Sequence, residues 1–582
     1  MSRRSPLRVA IELIPLDVRD RARPPWTRLR NRVKRRRTLA DRKVNAIINH
    51  RVIAHDDRRE RLLRTWETRV RLVGHTPGGE RELSREAIRL ARRLDRREQT
   101  EAARRVYVAA EAALTDPELR LRVTVQRLAM DLRHGQVAPD IWDRIRDLLA
   151  YADDLLDRGD VESAATRLQE AFNLAFNRTK HFEDIASPLA SDPDEFLAPF
   201  RASRTYELST RPTERAPRER LRVEGRPHRL LFTTFLNWNF LGSIIEDYQT
   251  TPGVEVRTLD LQDLPDGPWR AQPVDILRTR LHQARGDGAL TPPPEIREAF
   301  DWADTVFVEW GHRALPWVSM LPDLRAKVVA RLHSYEAFTP MPHHTDWAGI
   351  DDMVFVSPHI RSLVEHCVPH MAEHARIHTV PNHNVLATYR RPKRAGAERT
   401  LGLIGWNNIT KDPLWAVDVL ERLRATDSSW RLRLVGDGFA RGRRTGLTKA
   451  YVARLCEKFE ELGDAIELPG YTEDVPDALR DIGVILSSSR REGTHEGLIQ
   501  GTASGSFPVV RNWPYVAKWG GAHTLYPEEW IVESAEEAAA RILRGADSSA
   551  AHGSDTPFAE WVLTHYDWSV VRPQFDALLL DR

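Results

Sequence analysis

At 582 residues the chain is too long for one hydrophobic core, and at roughly 100–200 residues per domain it predicts about three or four units. Hydrophobic content of 41% with 29% charged residues excludes a disordered chain, and no stretch approaches the roughly 20 consecutive apolar residues of a membrane span. The net charge of +3 hides an asymmetry, because residues 1–226 carry 49 Lys+Arg against 36 Asp+Glu and the remainder carries an acidic excess, which predicts different partners for the two parts.

Only Cys367 and Cys456 are present, too few for a disulfide framework and in keeping with a reducing compartment. Basic residues precede the apolar run Leu7–Ile14, but Arg8 and Glu12 interrupt it, so it does not read as a signal peptide. The expected location is the cytosol, with peripheral contact to the inner membrane face open. Residues 1–80 form a basic segment, in which 21–37 hold nine basic residues and no acidic one. That run reads either as a solvated tail or as an electrostatic hold on anionic lipid or polyphosphate. No zinc pattern or aromatic base-stacking surface accompanies the charges, so a nucleic-acid partner is not expected.

From 81 to 207 the periodicity is helical. Ala87–Ala113 predicts two helices broken at Arg97–Thr100, and Ala152–Phe176 predicts a hairpin turning at Gly159-Asp160. The second piece resembles a tetratricopeptide repeat, with small Ala164 and Ala171 where paired helices approach closely; an ordinary hairpin is the alternative. Such a region would serve a protein partner or a second copy of the chain. Residues 208–227 are polar and proline-containing and predict a linker.

Apolar strand-like runs then alternate with amphipathic helices, in two series separated by the proline and basic stretch Arg390–Arg399. The first series is Leu230–Phe235, Thr305–Val308, Val328–Leu332, Met353–Val356 and Ile377–Val380. The second is Leu401–Ile404, Leu432–Val435, Ile466–Leu468, Val484–Ser487 and Pro508–Val510. The pattern predicts two doubly wound α/β domains, 228–389 and 398–556, with helices at 557–582. Ligands of such sheets bind beyond the carboxyl ends of the strands, and polar residues follow the strands directly. His333 follows one, Gly405 and Lys411 another, Gly436 a third, Gly470 and Tyr471 a fourth, and Arg490, Arg491, Glu492 and Gly493 a fifth.

The order LHS, VSPH, VPN, G-x5-K-D, LVGDG, LPGY and SSSRREG…ASG-x-x-PVV resembles glycosyltransferase family 4, the retaining group 1 enzymes. The resemblance covers about residues 228–580 and is strongest from Ile377 to Val510. It implies a GT-B fold of two Rossmann-like domains behind the all-α region, with a C-terminal helix crossing back onto the first domain. It implies a retaining transferase that moves a sugar from a nucleoside-diphosphate donor to a cell-envelope glycan or lipid-linked acceptor. The nucleotide sugar is substrate; no metal and no resident cofactor is implied. A binding or scaffold protein with a degenerate GT-B body is the alternative.

The growing charge of a departing diphosphate needs preorganised donors such as a cation and helix N-terminal N–H groups. By resemblance Lys411 is that cation, His333 faces the donor sugar, and Glu492 is the first glutamate of the E-x7-E signature. An ordinary surface lysine and an ordinary strand-capping histidine are the alternatives for the first two. Gly493, Thr494 and His495 are expected to present backbone N–H groups to sugar and phosphate, and Gly470-Tyr471 to lie beside the nucleobase. Two positions depart from the pattern. Trp406 stands where the family has an arginine after the glycine, and Gln500 where it has the second glutamate. A ring cannot replace the guanidinium fork, so Arg490 or Arg491 is a candidate to supply it. On the acceptor side Asn237, Trp238, Asn239, Glu309 and Trp310 follow strands. His366, His370, His374 and His378 recur every fourth residue, but Pro369 breaks the helix that would align them for a metal.

Overall fold

The computed structural model describes residues 56–73, 77–215, 225–235, 237–262, 272–288, 290–440, 445–545 and 555–580. The basic run Arg21–Arg37 and most of the predicted segment 1–80 lie outside them. The described residues up to Arg127 form one compact unit and those from Leu128 a second.

In the first unit helices Pro77–Asp95 and Thr100–Ala113 pair as a hairpin, broken where predicted, with Glu98 in the left-handed region at φ 62°. Ala87, Ala91 and Leu94 of the first helix and Ala103, Val106 and Ala110 of the second are buried, and the alanines let the two axes approach.

The second unit opens with the hairpin Ile141–Asp157 and Val161–Ala175, whose turn uses Gly159 at φ 79° and an Asp160 side chain that accepts from Ser163 N. This hairpin buries its face against helix Pro273–Arg285 and the short helices Pro193–Arg201 and Arg204–Thr210. Phe172, Phe176, Phe200 and Tyr206 cluster with His343, and Tyr206 Oη lies 2.9 Å from His343 Nδ1. The unit boundary therefore falls near 127, well before the linker predicted at 208–227. That linker prediction needs correction over its first part. Residues 208–210 complete a helix, and Thr213 N and Arg215 Nη2 donate to the buried Asp346 carboxylate at 3.2 and 2.7 Å. A packed ion pair, not solvation, accounts for the polar composition there.

Among the described residues twelve strands build two parallel sheets. β1 (His228–Thr234), β2 (Val254–Asp260), β3 (Thr305–Val308), β4 (Lys327–Leu332), β5 (Asp352–Phe355) and β6 (Arg376–Thr379) are ordered β2-β1-β3-β4-β5-β6. β7 (Thr400–Ile404), β8 (Arg431–Val435), β9 (Ile466–Gly470), β10 (Val484–Ser487), β11 (Phe507–Arg511) and β12 (Ile531–Val532) are ordered β12-β11-β10-β7-β8-β9. The ten predicted strands are present. The two unforeseen ones, β2 and β12, are edges: β2 is half-exposed and of mixed polarity, and β12 is two residues long.

Strand order reverses at β1/β3 in the first sheet and at β7/β10 in the second, and those switch points open the crevice in which doubly wound sheets bind ligands. We call the domains around the two sheets the first and second lobe. The core of the first contains residues from the far end of the chain. Val571, Phe575 and Leu579 of helix Trp568–Leu579 pack among Leu230, Phe232, Phe307 and Val329. Two Rossmann-like domains with the last helix crossing back onto the first is the GT-B arrangement implied by the resemblance.

Candidate active site

A cleft of about 660 Å³ lies beyond the carboxyl ends of the strands of both lobes. Lys411, Arg491, Glu492, Gly493 and Thr494 reach it from the second lobe, and Phe240, Trp310, His333 and Tyr335 from the first.

Lys411 closes a short 3-10 turn, Ile409–Lys411, directly before helix Pro413–Arg424. Asp412 between them is left-handed at φ 44°, a conformation held by its carboxylate, which accepts from Tyr451 Oη at 2.8 Å and Arg511 Nη1 at 2.8 Å. The turn aims Lys411 at Glu492: Nζ lies 2.6 Å from Oε1, which also accepts from Ser489 Oγ at 2.5 Å. Burial alone pushes the Glu492 carboxyl up, but the Lys411 charge and these bonds hold it below the usual carboxylate range. Gly493 follows. A Cβ there would stand 2.7 Å from Val356 Cγ2 of the first lobe, so any side chain would make the lobes shift.

Arg491 is the unusual member. It is 5% exposed, and among the described residues no carboxylate bonds to it; its Nη1 donates to Ser334 O at a long 3.3 Å, and its Nε has no partner there. The rings of Phe182 and Phe338 lie 4.8 and 4.5 Å from its Cζ, and burial pulls its pKa down to about 10. The Glu492 and Glu336 charges attract it without a hydrogen bond, so the burial of this guanidinium is only partly compensated.

On the first lobe His333 Nε2 lies 2.6 Å from Glu309 Oε1, and Arg331 grips the same carboxylate with two bonds of 2.8 and 2.9 Å. Glu309 is fully buried; burial would raise its pKa, and Arg331 and His333 hold it low. Trp310 and Phe240 flank the imidazole, with ring centroids 4.3 and 5.1 Å away. Both are left-handed, at φ 62° and 71°, which is strained for bulky side chains and is found most often at functional sites. Glu336 accepts from Gly311 N at 2.9 Å, while its other oxygen is buried with no hydrogen-bond partner among the described residues and burial raises its pKa.

Several sequence candidates do not line the cleft. Arg490, next to Arg491, turns away and bonds Asp412 at 3.2 Å and the carbonyls of Glu183 and Asp184 at 3.1 and 3.0 Å. Trp406 belongs to the second-lobe core, its Nε1 donating to Gly436 O at 3.2 Å, and so has no surface to offer a donor. Gly405, Gly436 and Gly470 take φ of 75°, 114° and 82° to turn the chain after their strands, and Tyr471 is 68% exposed. Gln500 Nε2 reaches Asn384 Oδ1 at 3.5 Å, and His495 is buried, which depresses its pKa to about 3. Glu496 is held by Asn382 Nδ2 at 2.9 Å and by Asn384. Glu309 stays behind His333, to whose imidazole it is bonded. Trp238 Nε1 donates to Asp260 at 2.8 Å, and Asn237 and Asn239 bond each other at 3.1 Å; their neighbour Phe240 is the one that enters the cleft. In the histidine series, His378 bonds Asp352 at 2.8 Å and His366 bonds Asp194 at 3.1 Å. Among the described residues no group of three His, Cys, Asp or Glu side chains is arranged to hold a metal.

The cleft also has a wall that sequence reasoning missed. Phe182 and Glu183, from a π-helical turn Thr179–Glu183 after the second helical hairpin, and Arg178, which caps that turn, line it. The only local signal is the loss of helical periodicity after Phe176.

No protein-family model and no curated protein matches the chain. Solved structures similar to it include sucrose-phosphate synthase from Thermosynechococcus elongatus, at 16% identity over 61% of this chain and 98% of that one, with a TM-score of 0.44. Anabaena HepE in complex with UDP-glucose is 13% identical over 61% of this chain and 100% of that one, with a TM-score of 0.43. TarM is 15% identical over 47% of this chain, with a TM-score of 0.37, and the match spans 54% of TarM's length.

Proposed function

We propose that the protein is a retaining glycosyltransferase that moves a sugar from a nucleoside-diphosphate donor to a cell-envelope glycan or lipid-linked acceptor. The observation that carries this reading is Arg491, a buried guanidinium to which no carboxylate among the described residues is bonded, in one cleft with Lys411 and facing His333 across it. Arg491 takes over the fork-shaped phosphate contact whose family position is filled by the core residue Trp406. Lys411 and the N-terminus of helix Pro413–Arg424 take the rest of the diphosphate charge. His333, fixed by Glu309, hydrogen-bonds the donor sugar, and Glu492 meets the same sugar from the other lobe.

Retention is supported by the state of the cleft carboxylates. Glu492 is tied to Lys411 and Glu183 to Arg178, so neither stands as a free base or nucleophile. The departing phosphate is then the base for the incoming hydroxyl, on the face it leaves. No helix among the described residues is long and apolar enough to cross a membrane. The proposal includes a cytosolic enzyme drawn to anionic membrane by Arg21–Arg37, checked by salt-sensitive co-sedimentation with anionic vesicles.

The test is a calorimetric titration of nucleoside diphosphates and their sugars, followed by a donor-hydrolysis assay. Arg491→Ala is expected to weaken diphosphate binding by about 1.5–3 kcal/mol, while Arg490→Ala leaves it in place. A wild type that binds no nucleoside diphosphate refutes the reading, and binding without transfer or hydrolysis favours a binding protein.

A further inference from the structure

We propose that the π-helical turn Thr179–Glu183 walls the acceptor end of this cleft, and that Arg178 there binds an anionic group, phosphate or carboxylate, on the acceptor. The inference rests on the glycosyltransferase reading and deepens it.

The turn is built into the cleft. Thr410 Oγ1 of the second lobe donates to Phe182 O at 3.3 Å, Arg490 donates to the carbonyls of Glu183 and Asp184, and Tyr515 Oη donates to Asp184 O. From that anchor Phe182 reaches the first lobe, where its ring centroid lies 4.9 Å from Tyr335. The turn thus touches both lobes at the cleft, and π-helical turns of this kind concentrate at functional sites.

The charges of the cleft divide unequally. Lys411 and Arg491 are assigned to the diphosphate, with Glu492 against Lys411. Arg178 remains, and its environment orients it. Its Nε donates to Glu183 Oε1 at 2.8 Å, and Glu183, only 2% exposed in its side chain, is fixed in turn by Thr445 Oγ1. That pair consumes one edge of the guanidinium. The two terminal nitrogens have no protein partner among the described residues, and the side chain is 65% exposed at the cleft. A guanidinium held at its base with its fork open is preorganised for a planar or tetrahedral oxyanion. The neighbours fit a sugar carrying that anion, since Tyr335 and Phe240 are among the exposed large apolar side chains and line the same cleft.

The experiment uses the full chain saturated with UDP, which occupies Arg491 and Lys411. Glucose, glucose 6-phosphate and glucuronate are titrated into the wild type, Arg178→Ala and Arg178→Lys. In the wild type one or both charged sugars are expected to bind about tenfold or more tighter than glucose. The two arms separate a phosphate from a carboxylate. Arg178→Ala is expected to erase the difference and Arg178→Lys to keep part of it, with UDP affinity within about twofold of wild type. Equal binding of charged and neutral sugars, no binding of either charged sugar, or a preference that survives Arg178→Ala overturns the proposal. If UDP itself does not bind, the donor reading falls first, so the two failures are distinguishable.

Discussion

On the second lobe the cleft is faced by Lys411, Arg491 and Glu492, whereas the first presents Phe240, Trp310, Tyr335 and His333. Each lobe buries charge at its switch point, but to different ends. In the first, Arg331 and Glu309 neutralise each other below the surface, and what reaches the cleft is an imidazole between aromatic rings. In the second, Lys411 and Arg491 outnumber Glu492 at the cleft, and Arg491 is buried with no carboxylate bonded to it among the described residues. A buried cation with a matched carboxylate is compensated within the fold; one without keeps its desolvation cost.

The comparison breaks most severely at Arg331. Arg331→Met leaves Glu309 buried with only His333 and is expected to lower stability by about 3–5 kcal/mol in denaturant melts; Arg331→Met with Glu309→Gln recovers much of that. An unchanged midpoint for the single variant means the pair does not hold the first lobe. Next in size, Lys411→Ala should reduce nucleoside-diphosphate affinity by about 1.5–3 kcal/mol in calorimetry, because a charge-assisted bond is lost. Unaltered affinity in a folded variant removes Lys411 from the diphosphate site. Smaller again, His333→Ala and Glu492→Gln should each cut transfer by about tenfold or more, with nucleotide affinity kept, as expected of groups acting on the sugar.

The smallest effect separates the carboxylates by pH. Glu309 and Glu492 lie below the ordinary value, so their stabilisation is full above the unfolded pKa and is lost only as pH falls through their lowered folded values. Glu336 is raised by burial, so its contribution is full below the unfolded pKa and is lost as pH rises through the folded one. Glu336→Gln keeps an acceptor for Gly311 N, so its melting temperature should match wild type in acid and exceed it increasingly as pH rises. A gap that shrinks with rising pH reverses the assignment.

The fold was legible where burial on both faces makes a strand continuously apolar, as at Thr305–Val308 and Val484–Ser487. It was not legible at Val254–Asp260, an edge strand whose polar residues meet solvent. Lys411, Glu492 and His333 were expected to meet because each lies in the loop after a strand, and those loops do line one cleft. Arg490 and Arg491 could not be told apart, since one step along a loop reverses a side chain and only the positions of Asp412 and Phe182 decide which is which. Trp406 looked like a site residue because its neighbour Gly405 ends a strand, yet the ring packs inward. The Arg178–Glu183 wall was out of reach, because joining a turn in the helical region to a loop beyond Ile409 is a tertiary event with no local pattern.

The helix Trp568–Leu579 sets an order of events at the ribosome. Phe575 and Leu579 complete a core begun by Leu230 and Phe232, and Lys327 Nζ donates to Leu578 O at 2.7 Å, so the first lobe lacks part of its interior until roughly 350 more residues are made. At about 5–20 residues per second that wait lasts roughly 20–70 s, during which the second lobe, whose core lies within Leu401–Leu543, can fold on its own schedule. Nascent chains arrested after residue 556 should therefore be cut readily by protease within 228–389 and resist it within 400–545. Equal resistance in both regions would show that the crossing helix is an ornament of the first lobe and not its keystone.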